Sequence, residues 1–308
     1  MHFLIVLVAI IALESNGQLA FIQRDVWVQT WYARLSQLSM LQSSAMLRLL
    51  AYVLVPVLVL YLVILQLHSS GYGLLVFILE LAVLLYSFGR GDLNAQIKLL
   101  ESDIERDDLQ AAYHDAALFN IGHRSSSAES SQDLFKELTG ALPYRIFERS
   151  FAAVFWFFLL GAPAALAYRL LALHGDMELD KDQSDSQNSD DNQEPEVQVA
   201  DAQSGNQLLW IMEWVPVRLL ALTLGLVGSF AHATAPLKEL ILCPRTTTAD
   251  LLQRCVTGAM GDITPASSDS DTDKIALGGL ELIAEVGALF RRSMMGWLVV
   301  IALLVMLS

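Results

Sequence analysis

Apolar residues in this chain fall in long blocks, with no strict alternation with polar ones. Continuous blocks of this kind predict helices buried in lipid or in other helices, and no strand pattern competes with them. A bilayer's hydrocarbon layer is about 30 Å thick and a helix rises about 1.5 Å per residue, so roughly 20 apolar residues make one crossing. Ala45–Leu67, with Pro56 as an expected kink, meets that length; Tyr72–Phe88 is shorter and carries Glu80; Phe151–Leu173 is rich in Phe and Leu. Leu208–Phe230 has the length but contains Glu213 and Arg218, while His2–Leu13 and Met294–Leu307 are short for full crossings. Between His68 and Tyr72 there is room only for a tight turn, so the blocks on either side predict an antiparallel hairpin.

Between the blocks the pattern changes. In Arg24–Leu41, Trp27, Trp31, Leu35 and Leu38 recur at helical spacing with Arg24, Arg34 and Gln37 off that stripe. This predicts an amphipathic helix whose tryptophans suit the membrane interface, a soluble core face being the competing reading. The organisation expected is a short span, an amphipathic helix and a hairpin over 1–89, then a helical cytoplasmic lobe over 90–149. A span follows over 150–173, an acidic linker without regular structure over 174–207, a span over 208–230, a second cytoplasmic lobe over 231–293, and a short C-terminal span over 294–308. The fold class is all-α, a polytopic helical membrane protein with helical cytoplasmic lobes.

Composition agrees. Hydrophobic residues make up 54% of the 308, and only 17% are charged, against about 25% in ordinary soluble domains. The net charge of −14 is mostly local, since 174–207 holds ten acids against Lys181 alone. Elsewhere the chain is near neutral, and nucleic acid is excluded as a partner because no basic patch exists. Lys and Arg set orientation. With both termini outside and six crossings, sixteen of the nineteen bases fall inside, and the acidic linker is periplasmic. The N-terminal MHFLIVLVAIIALE resembles a signal-peptide core but lacks a basic leading region and a small-residue cleavage pattern, so it reads as a retained helix.

Candidate chemistry centres on EWVPVRL, Glu213–Leu219. Pro216 has no amide hydrogen and its ring crowds the carbonyl four residues back, so the helix is expected to kink or restart there. An intramembrane ionisable residue is a site hypothesis by default. Glu213, Pro216 and Arg218 are therefore candidate ligand-binding residues, beside the competing reading that the two charges only neutralise each other or their neighbours. Tyr168 and Arg169, closing GAPAALAYR, and Glu80 join the set, Glu80 as a buried carboxyl or a partner for Arg169 or Arg218. Arg169 snorkelling to the interface is the plainer alternative. Cys243 and Cys255 match no CxxC pattern, and the chain carries no GxxxxGK[ST], HExxH or GxSxG, so no catalytic residue and no metal site is assigned.

IMEWVPVRLLALTLGLVG, with ERSFAAVFWFFLLGAPAALAYRLL upstream and the short apolar N-terminus, resembles the AmpE family. That resemblance implies an inner-membrane regulatory protein of β-lactamase induction and cell-wall-recycling signalling. Its partners would be the lipid bilayer and an unknown small molecule or protein of that pathway. AmpE is in turn similar to the CobD/CbiB proteins, whose P-A-R-L motif matches Pro216, Val217, Arg218 and Leu219. This implies the alternative of a synthase joining an amino-alcohol arm to a carboxylate with ATP and magnesium. Position 217 is Val where that motif has Ala, and the G-D-P and H-P pieces of the synthase are absent. A third reading is a transporter of muropeptide-like substrates, for which inverted repeats are the expected signature; none is visible.

Overall fold

The computed structural model describes residues 2–15, 25–38, 44–88, 97–100, 102–103, 106, 108, 111, 140–187, 196–228, 246–260 and 272–307. Every regular element among them is helical, so the all-α expectation holds. Most of the 90–149 lobe and much of 231–271 lie outside the described residues. The chain divides into two compact units, Met1–Gly91 with Ala152–Glu213, and Asp92–Phe151 with Trp214–Ser308.

In the first unit the helices are α1 (His2–Ser15), α2 (Val26–Ser36), α3 (Ala45–Ser69), α4 (Gly73–Ser87), α5 (Ala153–Leu160), α6 (Ala162–Gln187) and the first part of α7 (Glu196–Val227). The turn between α3 and α4 is set by Gly71, at φ 78°. Its N–H donates to the His68 carbonyl, and that of Tyr72 to the Leu67 carbonyl. These are the paired bonds with which a left-handed glycine stops a helix, and they produce the predicted hairpin. α6 is the central element, packed on α3, α4 and α5, while α1 lies on α4 and α5, and α2 on α3. Close approach to α6 is possible because Ala162 and Ala165 are fully buried.

The outer surface of α3 is not a soluble surface. Leu54, Val55, Leu58, Val59, Leu62 and Leu65 are all exposed along one helix. Apolar residues in water would not form a face of that extent; lipid removes the cost. Three helical segments among the described residues are long and apolar enough to cross a membrane: Ala45–Ser69, Ser204–Val227 and Ile283–Leu307.

Four expectations need correction. Phe151–Leu173 is not one continuous span: α5 ends at Leu160 and α6 begins at Ala162. Gly161 sits between them at φ 82°, ψ −172°, a backbone region open essentially to glycine alone. Pro163, two residues on, has no N–H to return to the Leu159 carbonyl. The stretch 174–207 was expected to lack regular structure, yet α6 runs to Gln187 and α7 starts at Glu196. Once a packed segment has nucleated a helix, each further residue adds a hydrogen bond at small cost, so both helices extend into acidic sequence. Pro216 does not restart the helix, since α7 is continuous through it. Finally, the C-terminal helix is no short span.

In the second unit that helix, α9, runs 36 residues from Thr272 to Leu307. Its charges at Glu281, Glu285, Arg291 and Arg292 interrupt the hydropathy but lie on its exposed side, while Ile283, Val286, Leu289, Phe290 and Ser293 are buried. α8 (Thr248–Met260) packs on α9 and buries Leu251, Leu252, Cys255, Val256 and Ala259. Thr247 caps α8, its hydroxyl accepting from the Asp250 amide and donating to the Asp250 carboxylate. Gly228, at the end of α7, meets Ala259 so closely that a Cβ there would lie 2.7 Å from the alanine's Cβ and carbonyl oxygen. The Trp297 indole points its N–H at the Thr223 hydroxyl, 3.4 Å away, tying α9 to α7. The chain leaves this unit's N-terminal part through a helical stretch at 140–146 and a π-helical turn, Phe147–Ala152.

Candidate functional site

Two prolines lie inside membrane-length helices, and each deprives the carbonyl four residues earlier of its intrahelical donor. Pro56 frees the Tyr52 carbonyl, and the Trp31 indole donates to it at 3.3 Å. Pro216 frees the Met212 carbonyl, and the Trp156 indole donates to it at 3.1 Å. The same solution therefore appears twice. Indole suits the task because it carries one donor on a large apolar body and leaves no acceptor to satisfy.

The first unit also encloses charges. Arg169, on α6, and Asp25, just ahead of α2, are each 3% exposed. One guanidinium nitrogen of Arg169 lies 3.4 Å from Asp25 Oδ2. The Tyr86 hydroxyl, from α4, donates to Asp25 Oδ1 at 2.9 Å. Arg169 thus does not snorkel. It is held within the bundle by a carboxylate from α2, and its Nε has no hydrogen-bond partner. Removing one member of such a buried pair costs about 3–5 kcal/mol, because it strands the other charge.

One turn further along α6, His174 is 1% exposed. Its ring stands edge-on to Tyr32 at 5.4 Å and tilted against Tyr52 at 5.8 Å. The Tyr52 hydroxyl donates to the Leu170 carbonyl at 3.0 Å. Gly205 of α7 closes this box, since a Cβ there would lie 2.6 Å from His174 Nδ1. That is a close approach only glycine permits.

The predicted site residues are distributed as follows. Tyr168 and Glu213 meet, the tyrosine hydroxyl donating to Glu213 Oε1 at 3.1 Å with both residues buried. Arg169, the neighbour of Tyr168, turns instead to Asp25. Glu80, 8% exposed on α4, has His2 of α1 at 3.9 Å, and Arg169, expected as a partner for it, pairs with Asp25 instead. Arg218 belongs to the second unit. There it donates to the Trp214 carbonyl at 2.9 Å and lies 4.0 Å over the Trp214 ring, a contact that relieves some of the cost of a guanidinium at this depth. Pro216 acts through the Met212 carbonyl it frees. The stripe of α2 is split: Leu35 is buried in the core and Trp31 half-buried, while Trp27 and Leu38 are exposed.

Asp25 was missed in the sequence. Its signal is an acid immediately before an aromatic-rich amphipathic helix, in a chain with an arginine inside an apolar block. The tryptophan–proline pairs were missed too, although two internal prolines announce two carbonyls that need donors. Outside the spans, burial pushes the Cys255 thiol up to about 11. Among the described residues, no three His, Cys, Asp or Glu side chains are grouped as metal ligands would be.

The family model described as regulatory signalling modulator protein AmpE matches residues 1–247. The chain belongs to the AmpE family. The match takes in the whole first unit and the EWVPVRL motif, and ends where α8 begins. No curated protein and no solved structure matches the chain. Family and helices together make this a membrane protein with a regulatory signalling role.

Proposed function

We propose that this AmpE-family chain is a multi-pass protein of the bacterial inner membrane that controls β-lactamase induction in response to cell-wall recycling. The medium it works in is the lipid bilayer. Its input is a small molecule or protein of the recycling pathway, recognised by the polar groups that its membrane-length helices carry. The observation that carries this reading is the buried Tyr168–Glu213 hydrogen bond at 3.1 Å. A carboxyl group within an apolar segment is costly, and here it has a specific protein partner on another helix. With Arg218 five residues on, α7 carries two ionisable groups through one apolar segment. Signalling needs two states that a ligand binds unequally, and paired polar groups inside a bundle supply contacts that differ between states.

The test is complementation of a strain lacking its own family member. At matched membrane abundance, Arg218→Ala and Glu213→Gln should insert normally and fail to support induction. Full induction by both variants would remove the proposal.

A further inference from the structure

The Asp25–Arg169 pair is under-used as an ion pair. Arginine and carboxylate usually bind through two parallel hydrogen bonds; here one nitrogen reaches one oxygen at 3.4 Å, and the buried Nε has no partner. Asp25's other oxygen is occupied by the Tyr86 hydroxyl. The carboxylate immediately precedes α2, whose outer edge is polar and apolar in turn, with Val26, Trp27, Arg34 and Leu38 exposed. α2 is otherwise seated by Val28 and Leu35, by the Trp31 indole on the Tyr52 carbonyl, and by Tyr32 against His174.

We propose that Arg169 is a binding site for an oxyanion, carboxylate or phosphate, and that Asp25 is its built-in occupant. An arriving oxyanion takes the guanidinium through two hydrogen bonds, including the unused Nε. Asp25 then loses its counter-charge, and α2 leaves its seat with it. α2 is thereby a strap that reports occupancy of a charge centre in the apolar layer. The inference rests on the signalling reading above and names its ligand chemistry. The oxyanion has two sources of the same chemistry, a lipid headgroup or a soluble anion.

The test reads the seat of α2 directly. Val28, fully buried, is replaced by cysteine in a chain whose Cys243 and Cys255 are removed (Cys243→Ser, Cys255→Ala), and maleimide labelling is followed in vesicles. In vesicles of an uncharged galactolipid, which carries no phosphate, and without added anion, labelling should be slow. Asp25→Asn should raise its rate at least about tenfold, because Arg169 must then find water. Without that substitution, either phosphatidylglycerol in the vesicle or inorganic phosphate in the medium should raise the rate, and the effective arm identifies the source. The double variant Asp25→Asn/Arg169→Gln, a neutral buried pair, should restore slow labelling and respond to neither anion. The proposal is overturned if Asp25→Asn labels as slowly as its parent, if neither anion accelerates labelling, or if the double variant labels as fast as the single one. Induction plays no part in this readout, so a strap that behaves as described in a chain that does not control β-lactamase would separate the two proposals.

Discussion

Replacing Trp156 by phenylalanine removes one hydrogen-bond donor and little else. The indole N–H sits 3.1 Å from the Met212 carbonyl, which Pro216 leaves without its intrahelical donor. In an apolar layer no water replaces the lost bond. An unsatisfied buried polar group costs about 1–3 kcal/mol, whereas side-chain hydrogen bonds measured inside membranes average about 0.6 and reach about 1.7 kcal/mol. Trp156→Phe should therefore destabilise the protein by about 1 kcal/mol beyond the loss of ring area. The area term is removed by a double-mutant cycle. Pro216→Ala restores an amide hydrogen at position 216, which can serve the Met212 carbonyl within α7. In that background Trp156→Phe loses only packing, so the two changes should couple by about 1 kcal/mol. The assay is equilibrium unfolding of the purified protein in mixed detergent micelles, with sodium dodecyl sulfate as denaturant and helical circular dichroism as signal. Coupling within about 0.3 kcal/mol of zero, the usual error of additivity, would refute the claim that the indole substitutes for the amide that proline lacks.

The same cycle at Trp31→Phe and Pro56→Ala should give coupling of the same sign, with a smaller size because that bond is longer, at 3.3 Å. Tyr168→Phe should cost about 1–2 kcal/mol in the same unfolding assay, since Glu213 loses a buried donor. Gly161→Ala should cost about 1–3 kcal/mol through backbone strain alone, because the nearest atom to a Cβ there is 3.7 Å away; a neutral result would contradict the break between α5 and α6. For Cys255 the folded pKa, about 11, lies above the ordinary value of 9.0. At pH 9 its thiolate fraction is then about 1%, against about one half for a free thiol, so thiol-reagent labelling should be correspondingly slow in the native state and fast in denaturant. By linkage, this burial favours folding fully below pH 9 and loses that contribution as pH rises towards 11.

Helix positions were legible in the sequence because apolar block length is a direct consequence of bilayer thickness. The hairpin and the membrane-length segment around EWVPVRL follow from it, and the amphipathic α2 follows from the helical spacing of Trp27, Trp31, Leu35 and Leu38. The blocks failed where a single residue overrides the average. Gly161 breaks an apolar block that hydropathy reads as continuous, and Arg291 with Arg292 hides the onset of the last apolar segment. The acidic stretch shows the reverse, a composition that would not fold alone but extends helices nucleated by neighbouring packed residues. For the site, Tyr168, Arg169, Glu80 and Glu213 were identified because ionisable or polar groups in apolar blocks are visible as residue types. Their partners were not. Which side chain answers a buried charge depends on which helices pack together, and Asp25 lies 144 residues from Arg169. Pro216 was expected to kink or restart the helix because its local effect is to remove a bond. The remedy, an indole 56 residues from the Met212 carbonyl that it serves, is a tertiary fact.

The proposed function requires that α7 cross the bilayer with its ionisable groups held by protein. Reporter fusions at Gln193 and Thr247 test this most directly. Alkaline phosphatase should be active when fused at Gln193 and inactive at Thr247, with a cytoplasmic reporter giving the opposite pattern. Equal activity of either reporter at both positions would mean that Ser204–Val227 does not cross and that Glu213 and Arg218 lie outside the bilayer.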